Sequence, residues 1–366
     1  MRHAPMLFAL AAVSTALGVA ASASAQCACQ ASPPPAAMLN PPPINPYSAC
    51  EWKDDFVGKC THRELLYQSP RAPWYVQTDA LALRRDPGED VTFASLGAQP
   101  VLSTHDLEFE FQGGLRALVG HQFGERFAIE GSYFGLMEWD EPAAVRSAAP
   151  LLNSPFTDNN GLLGIDGNTF ISIRTESSLD NIEINIRQWL YTPPSMMRAS
   201  ALYGVRYMNI NENFAYRSET PAPAAALSAV DVRTENHLIG FQFGGSMEFY
   251  IEPRGWITFE GKAAVCNNAG EQSSSGAVGV GGAAVDNFAE SNRTGFIGDI
   301  ALTLMYAFTP NTVGRIGYQA MWVEGLALGS ENFERDLQSL TLGPGALVHD
   351  GNLVYHGPFV GLMTTW

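Results

Sequence analysis

The sequence predicts an all-β fold: an antiparallel up-and-down transmembrane β-barrel of about ten strands, with long outer loops and short periplasmic turns. Twelve strands result if one short segment pairs separately. Three observations lead there. Segments with a period of two run a dozen residues or more, against about five or six for strands of soluble domains. Their connections alternate long and short. Tyr and Trp gather toward segment ends, and the chain closes on Trp366. A tilted strand of about nine to eleven residues crosses the hydrocarbon layer if its outer face is apolar.

Composition agrees with an exported barrel. The 366 residues include 37 Asp plus Glu against 21 Lys plus Arg, and only 16% are charged. With no basic run, nucleic acid is not expected as a partner, because phosphate binding needs a basic patch. Mean hydropathy near zero is too polar for a helical membrane protein, whereas alternating strands dilute the apolar signal. Beyond the first residues no stretch of about 18 apolar residues occurs.

The domain plan has three parts. Residues 1–25 read as a secretory signal: Arg2 and His3, an apolar run from Met6 to Ala21, then Ala23-Ser24-Ala25 as the cleavage site. Gln26 stands before Cys27 where lipidation would need a small residue. Residues 26–73 form a Pro-rich periplasmic leader, with Pro33 to Pro35, Pro41 to Pro43 and Pro46 favouring extended polyproline. A short helical or looped element fits Glu51 to Ser69. Residues 74–366 are the barrel. Export permits disulfides, and Cys50 with Cys60 is the candidate pair; Cys27 and Cys29 are too close for relaxed geometry. No C-x-x-C or His cluster supports a metal, and no cofactor is expected.

Taken in order, the first strand is Trp74 to Leu83. The second, Asp106 to Phe123, sets Leu107, Phe109, Phe111, Leu115, Ala117 and Val119 on one face and Arg116 on the other. After Gly124 and Glu125 the third sets Phe127, Ile129, Tyr133 and Met137 opposite Glu130. Glu138 to Asn168 reads as irregular, and Thr169 to Glu176 either extends the next strand or adds a hairpin. The fourth strand, Leu179 to Tyr191, alternates Ile182, Ile184 and Ile186 with Glu183, Asn185 and Arg187. The fifth, Arg198 to Asn211, alternates Tyr203, Val205 and Tyr207 with Arg206. After an Ala- and Pro-rich loop the sixth, Asn236 to Ile251, opposes Ile239, Phe241 and Phe243 to Gln242, Ser246 and Glu248. The seventh opposes Ile257 and Phe259 to Glu260 and Lys262. Asn267 to Asn292, rich in Gly, Ser and Ala, reads as a flexible loop. A hairpin from Arg293 to Leu326 follows, with Asp299 and Arg315 on its polar face, then a long loop and a last strand ending at Trp366.

The blocks VLSTHDLEFEFQGGLRALVGHQFGERFAIEGSYFGLMEWDE, IEINIRQWL, ALYGVRYMNINENF, NHLIGFQFG, EGKAAVCNNAG, GRIGYQAMWVEGLALG and YHGPFVGLMTTW, in that order, resemble the planctomycete outer-membrane family called beta-barrel porin-7. The resemblance spans Pro73 to Trp366. It implies an outer-membrane barrel and supplies no catalytic residue or ligand.

Candidate site residues follow from the alternation. Arg116, Glu130, Glu183, Arg187, Arg206, Glu248, Glu260, Lys262, Asp299 and Arg315 are expected to face the lumen as a charged network. Trp139, Trp189, Tyr191, Tyr250, Trp256, Trp322 and Trp366 are expected at the membrane interface. Two functional readings result. A porin-like barrel would pass small polar solutes through a narrow charged lumen; a non-conducting structural or surface-interaction barrel would have that lumen filled by ion pairs. A membrane enzyme is disfavoured, since no nucleophile, base and acid can be grouped from the spacing of His105, His121, His237, His349 and His356. Asp158, Asn160, Asp166 and Asn168 lack the frame of a calcium loop. Expected partners are outer-membrane lipid and, through the aromatic C-terminal strand, the barrel-assembly machinery.

Overall fold

A computed structural model describes residues 73–124, 126–157, 162–190, 197–252, 254–342 and 346–366. The signal, the leader, the Cys50–Cys60 pair and Tyr191 lie outside the described residues. Ten strands close the barrel: β1 (Trp74–Arg85), β4 (Gln112–Phe123), β5 (Phe127–Arg146), β7 (Phe170–Trp189), β8 (Met197–Thr220), β9 (Ala226–Glu252), β10 (Gly255–Val278), β11 (Ala283–Thr309), β12 (Thr312–Leu326) and β13 (Gly351–Thr365). Neighbours pair antiparallel throughout, and β1 closes the ring between β13 and β4. A small sheet of β2 (Thr92–Leu96), β3 (Gln99–Ser103) and β6 (Leu152–Asn153), with a short helix α1 (Leu337–Leu342), is built from the outer loops.

The strands change character along their length, and this organises the molecule. In the half nearer the short turns, the outward face of β8 carries Tyr203, Val205 and Tyr207, all exposed, while Ser200 and Arg206 are buried inside. Farther along the same strand Asn209, Asn211 and Asn213 point outward and Met208, Ile210, Phe214 and Tyr216 point inward, fully buried. β9 repeats the switch. Ile239, Phe241 and Phe243 are exposed below, whereas above them Asp231, Arg233 and Glu235 alternate with buried Val230 and Val232. Apolar-out, polar-in suits lipid; polar-out, apolar-in suits water. At the changeover, outward Tyr133 donates to Asp180 (2.6 Å), and Tyr207 and Tyr318 bond His237 and His356 at 2.9 and 2.6 Å. Among the described residues no helix is long and apolar enough to cross a membrane; the strands cross it.

The upper half differs from the loop expectation. Asn267 to Asn292 is not a loop: β10 and β11 pair from Gly255↔Tyr306 to Val278↔Ala283 and turn tightly at Gly279 to Gly282, with Gly279, Gly281 and Gly282 at positive φ. Small polar residues suffice there because the outward face meets water and the inward face needs only alternate apolar positions. β5 likewise continues to Arg146, and Thr169 to Glu176 falls in the extension of β7, so the count is ten. Leu107 and Phe109 lie before β4 and are buried in the loop core.

The described parts of three long loops, 86–111, 147–157 with 162–169, and 327–342 with 346–350, fold inward and fill the upper lumen. Phe93 packs 4.7 Å from Phe214 and 5.3 Å from Phe333 (ring centroids), and Phe156 lies 5.6 Å from Tyr216. Polar bonds seat this plug on the wall. Asn236 donates to Ala327 O and accepts from Ala327 N, both at 2.8 Å. Glu212 accepts from Arg85 Nη1 at 2.5 Å and from the Gly329 amide at 3.0 Å.

Candidate functional site

Below the plug the lumen holds a cavity of about 410 Å³ that reaches the short-turn end of the barrel. Strand parity delivers its lining. All ten charged residues singled out above face the interior, and nine of them line the cavity; Arg206, side chain fully buried, stands behind it. One cluster centres on Arg187 of β7. Its Nε and Nη2 donate to Glu130 at 2.6 and 3.0 Å, Nη2 also reaches Glu260 (3.1 Å), and Nη1 donates to Ser200 (3.0 Å). Tyr75 crosses β4 to donate to Glu130 at 2.6 Å. Gly120 makes this possible, since a Cβ there would stand 2.0 Å from the Tyr75 ring.

A second cluster centres on Glu183. Lys262 Nζ lies 3.0 Å away, Asn181, Asn185 and Gln242 donate at 3.1, 3.1 and 3.0 Å, and Arg206 sits at 3.8 Å. Arg206 also pairs with Asp299. The third is Asp79, buried on β1, with Arg315 Nε at 3.1 Å and Arg116 Nη1 at 3.4 Å. Arg116 bonds Gln319 as well, and both guanidiniums lie 5.3 Å from the Phe359 ring. Each buried charge thus has a counter-charge, as the desolvation cost of an isolated ion requires. Toward the mouth Glu248 accepts from Tyr250 at 2.8 Å.

Sequence reading missed Asp79, Tyr75, Ser200 and Gln319. Parity on the first strand was the available signal: Tyr75, Gln77 and Asp79 alternate with Trp74, Val76 and Thr78. The aromatic expectation needs correction. Trp189 lines the cavity with Arg198 stacked 3.7 Å over it; Trp256 is buried there, 6.0 Å from Tyr250. All three share inward parity with Arg187, Glu260 and Glu248, so nearness to a strand end was the wrong criterion. Trp139 is also inside, 5.5 Å from Tyr355. There the cause is a β-bulge between Phe134 and Met137, with Leu136 at φ 65°, which reverses parity and turns Met137 inward too. Trp322 lies over Gly298 on the outward face, and Trp366 is exposed at the strand end.

In the plug, Glu331 has its carboxyl pushed up to about 7, first by burial and then by Glu89, Glu212 and Asp350. His349 packs against Gly270 with both ring nitrogens buried and unbonded; burial, then Arg293, lowers its pKa. Cys266 is buried and free. Among the described residues no group of His, Cys, Asp and Glu is disposed to hold a metal.

Solved structures similar to this chain include the Escherichia coli outer-membrane protease OmpT (11% identity, 81% of this chain and 98% of that one, TM-score 0.48). The translocator domain of the Neisseria meningitidis autotransporter NalP is another (9%, 82% and 91%, 0.34), as is the CymD monoaromatic hydrocarbon channel (7%, 83% and 93%, 0.23). No curated protein matches. One family does, described as Putative beta barrel porin-7, over residues 83–353. The chain belongs to that beta barrel porin-7 family and is a porin-like outer-membrane β-barrel.

Proposed function

We propose that the barrel is non-conducting as folded: a cylinder sealed at its outer half by its own loops, presenting a polar cavity to the periplasm. The observation that carries this is the plug. Phe93, Phe214, Tyr216 and Phe333 are almost wholly buried and in mutual ring contact where a solute would have to pass. Barrels of about this strand number have interiors that side chains can fill, whereas open channels belong to roughly 16 to 18 strands. The belt of exposed Ile, Leu and Phe supports outer-membrane lipid as a partner, and the aromatic end of β13 at Trp366 fits recognition by the assembly machinery during insertion. Delivery would begin with residues 1–25 as an export signal and leave 26–73 as a periplasmic tether. Swelling of proteoliposomes in arabinose tests the reading: rates at the protein-free background are expected, and rapid swelling would overturn it.

A second reading, passive diffusion of small polar solutes, is favoured by the cavity itself, which already provides half of a polar path. It requires the plug to leave the upper lumen.

A further inference from the structure

We propose that the inner cavity binds a small zwitterion, a solute bearing a carboxylate and an ammonium group a few bonds apart. The charges around it are not evenly mixed. On the wall formed by β4, β1 and β12, the two guanidiniums of Arg116 and Arg315 share one carboxylate, Asp79. Asp79 is fully buried and stands behind them, so this wall shows the cavity cations.

The wall running from β5 through β7 and β8 to β10 and β11 is the reverse, with Arg198 and Glu248 offsetting each other toward the mouth. Four carboxylates, Glu130, Glu183, Glu260 and Asp299, meet three cations, Arg187, Lys262 and Arg206. The cation that stands back here is Arg206, with no side-chain exposure, while all four carboxylates line the cavity. One wall therefore carries a surplus positive charge and the other a surplus negative charge. Charges out of bulk water are weakly screened, so a solute carrying both signs gains at each end, whereas a simple ion gains at one and is repelled at the other.

Arg315 gives the site its open valence. Its Nε lies 3.1 Å from Asp79 Oδ1, yet both atoms are buried without a hydrogen bond, and the side chain is only 11% exposed. A guanidinium so placed is suited to a carboxylate in the two-point manner. Two strands along the wall, on β10, Glu260 has one oxygen on Arg187 while the other lies 3.9 Å from Lys262, beyond hydrogen-bond range. That oxygen can accept from an ammonium group. About 410 Å³ suits a small solute and its water.

Binding is measured on the intact protein in detergent, by calorimetry and by the fluorescence of Trp189 and Trp256, which line the cavity. The probes are ω-amino acids from glycine to 6-aminohexanoate, each beside the alkanoate and alkylamine of equal length. At least one ω-amino acid is expected to saturate, at about tenfold or better affinity over both half-probes. Arg315→Met should remove that preference and Arg315→Lys keep part of it; Asn213→Ala, on the outward face, should change nothing. Heat-modifiable migration reports whether each variant is folded. If Arg315→Met is not, the ratio of zwitterion to half-probes on the unaltered protein decides alone. An alkanoate binding as tightly as the best zwitterion, no saturation by any probe, or a folded Arg315→Met with unchanged affinities would overturn the proposal. Conductance has no bearing on this outcome, because both measurements can succeed or fail separately.

Discussion

Arg187 and Glu183 each hold several partners at once, so their removal is costly in a way single surface pairs are not. Glu183→Gln would leave Lys262 and Arg206 with only Glu260 and Asp299 to balance them. Removing one member of a buried network typically costs about 3–5 kcal/mol. The variant is expected to lose its folded gel mobility at a lower urea concentration than the parent; an unchanged midpoint would contradict the network. At the plug, Glu331 titrates from a value raised to about 7, so its contribution to plug stability is complete below the ordinary carboxylate value of 4.5 and is lost as pH rises through about 7. His349 acts in the other direction: its lowered value makes stability fall as pH drops below its ordinary 6.5. Limited proteolysis of the loop 327–350 should therefore be slowest in mild acid. Glu331→Gln should abolish the rise in cleavage as pH climbs toward 7, and persistence of that rise would exclude Glu331 as its source.

At the scale of elements, the bulge in β5 is the most consequential local feature. Leu136 holds φ 65°, which a β-branched side chain resists, so Leu136→Val favours plain alternation at unchanged length, turning Met137 and Trp139 out and the acidic Glu138 and Asp140 in. The expected result is a barrel whose outer loops are cut by added protease while the membrane half stays protected; full protection would contradict the role given to the bulge. The same feature marks what could be read from sequence. Parity placed Glu130, Arg187 and Arg206 correctly because those strands alternate without interruption through the lipid belt. It failed at Trp139, since one residue at positive φ leaves no trace in an apolar-polar pattern. It failed differently at Asn267 to Asn292, where the outward face meets water instead of lipid and the expected apolar stripe is absent. Loops packing back into the lumen are invisible to periodicity altogether: Phe93 and Phe333 come together across about two-thirds of the chain.

For the whole molecule, the two halves make different demands. The lipid-facing half needs an apolar exterior and so encloses polar groups; the outer half stands in water and encloses an apolar core. The plug fills that core, and on the function proposed above it makes the barrel a vessel sealed at its outer end. Removing part of the filling should open it. Replacing 330–349 with a short Gly-Ser linker would take away Phe333, Leu337 and Leu340 from the upper lumen. The most direct measurement is single-channel conductance in planar bilayers, comparing the intact chain with this deletion. The intact protein is expected to show no steady current steps and the deletion to show them. Steady ohmic channels from the intact protein would contradict the account.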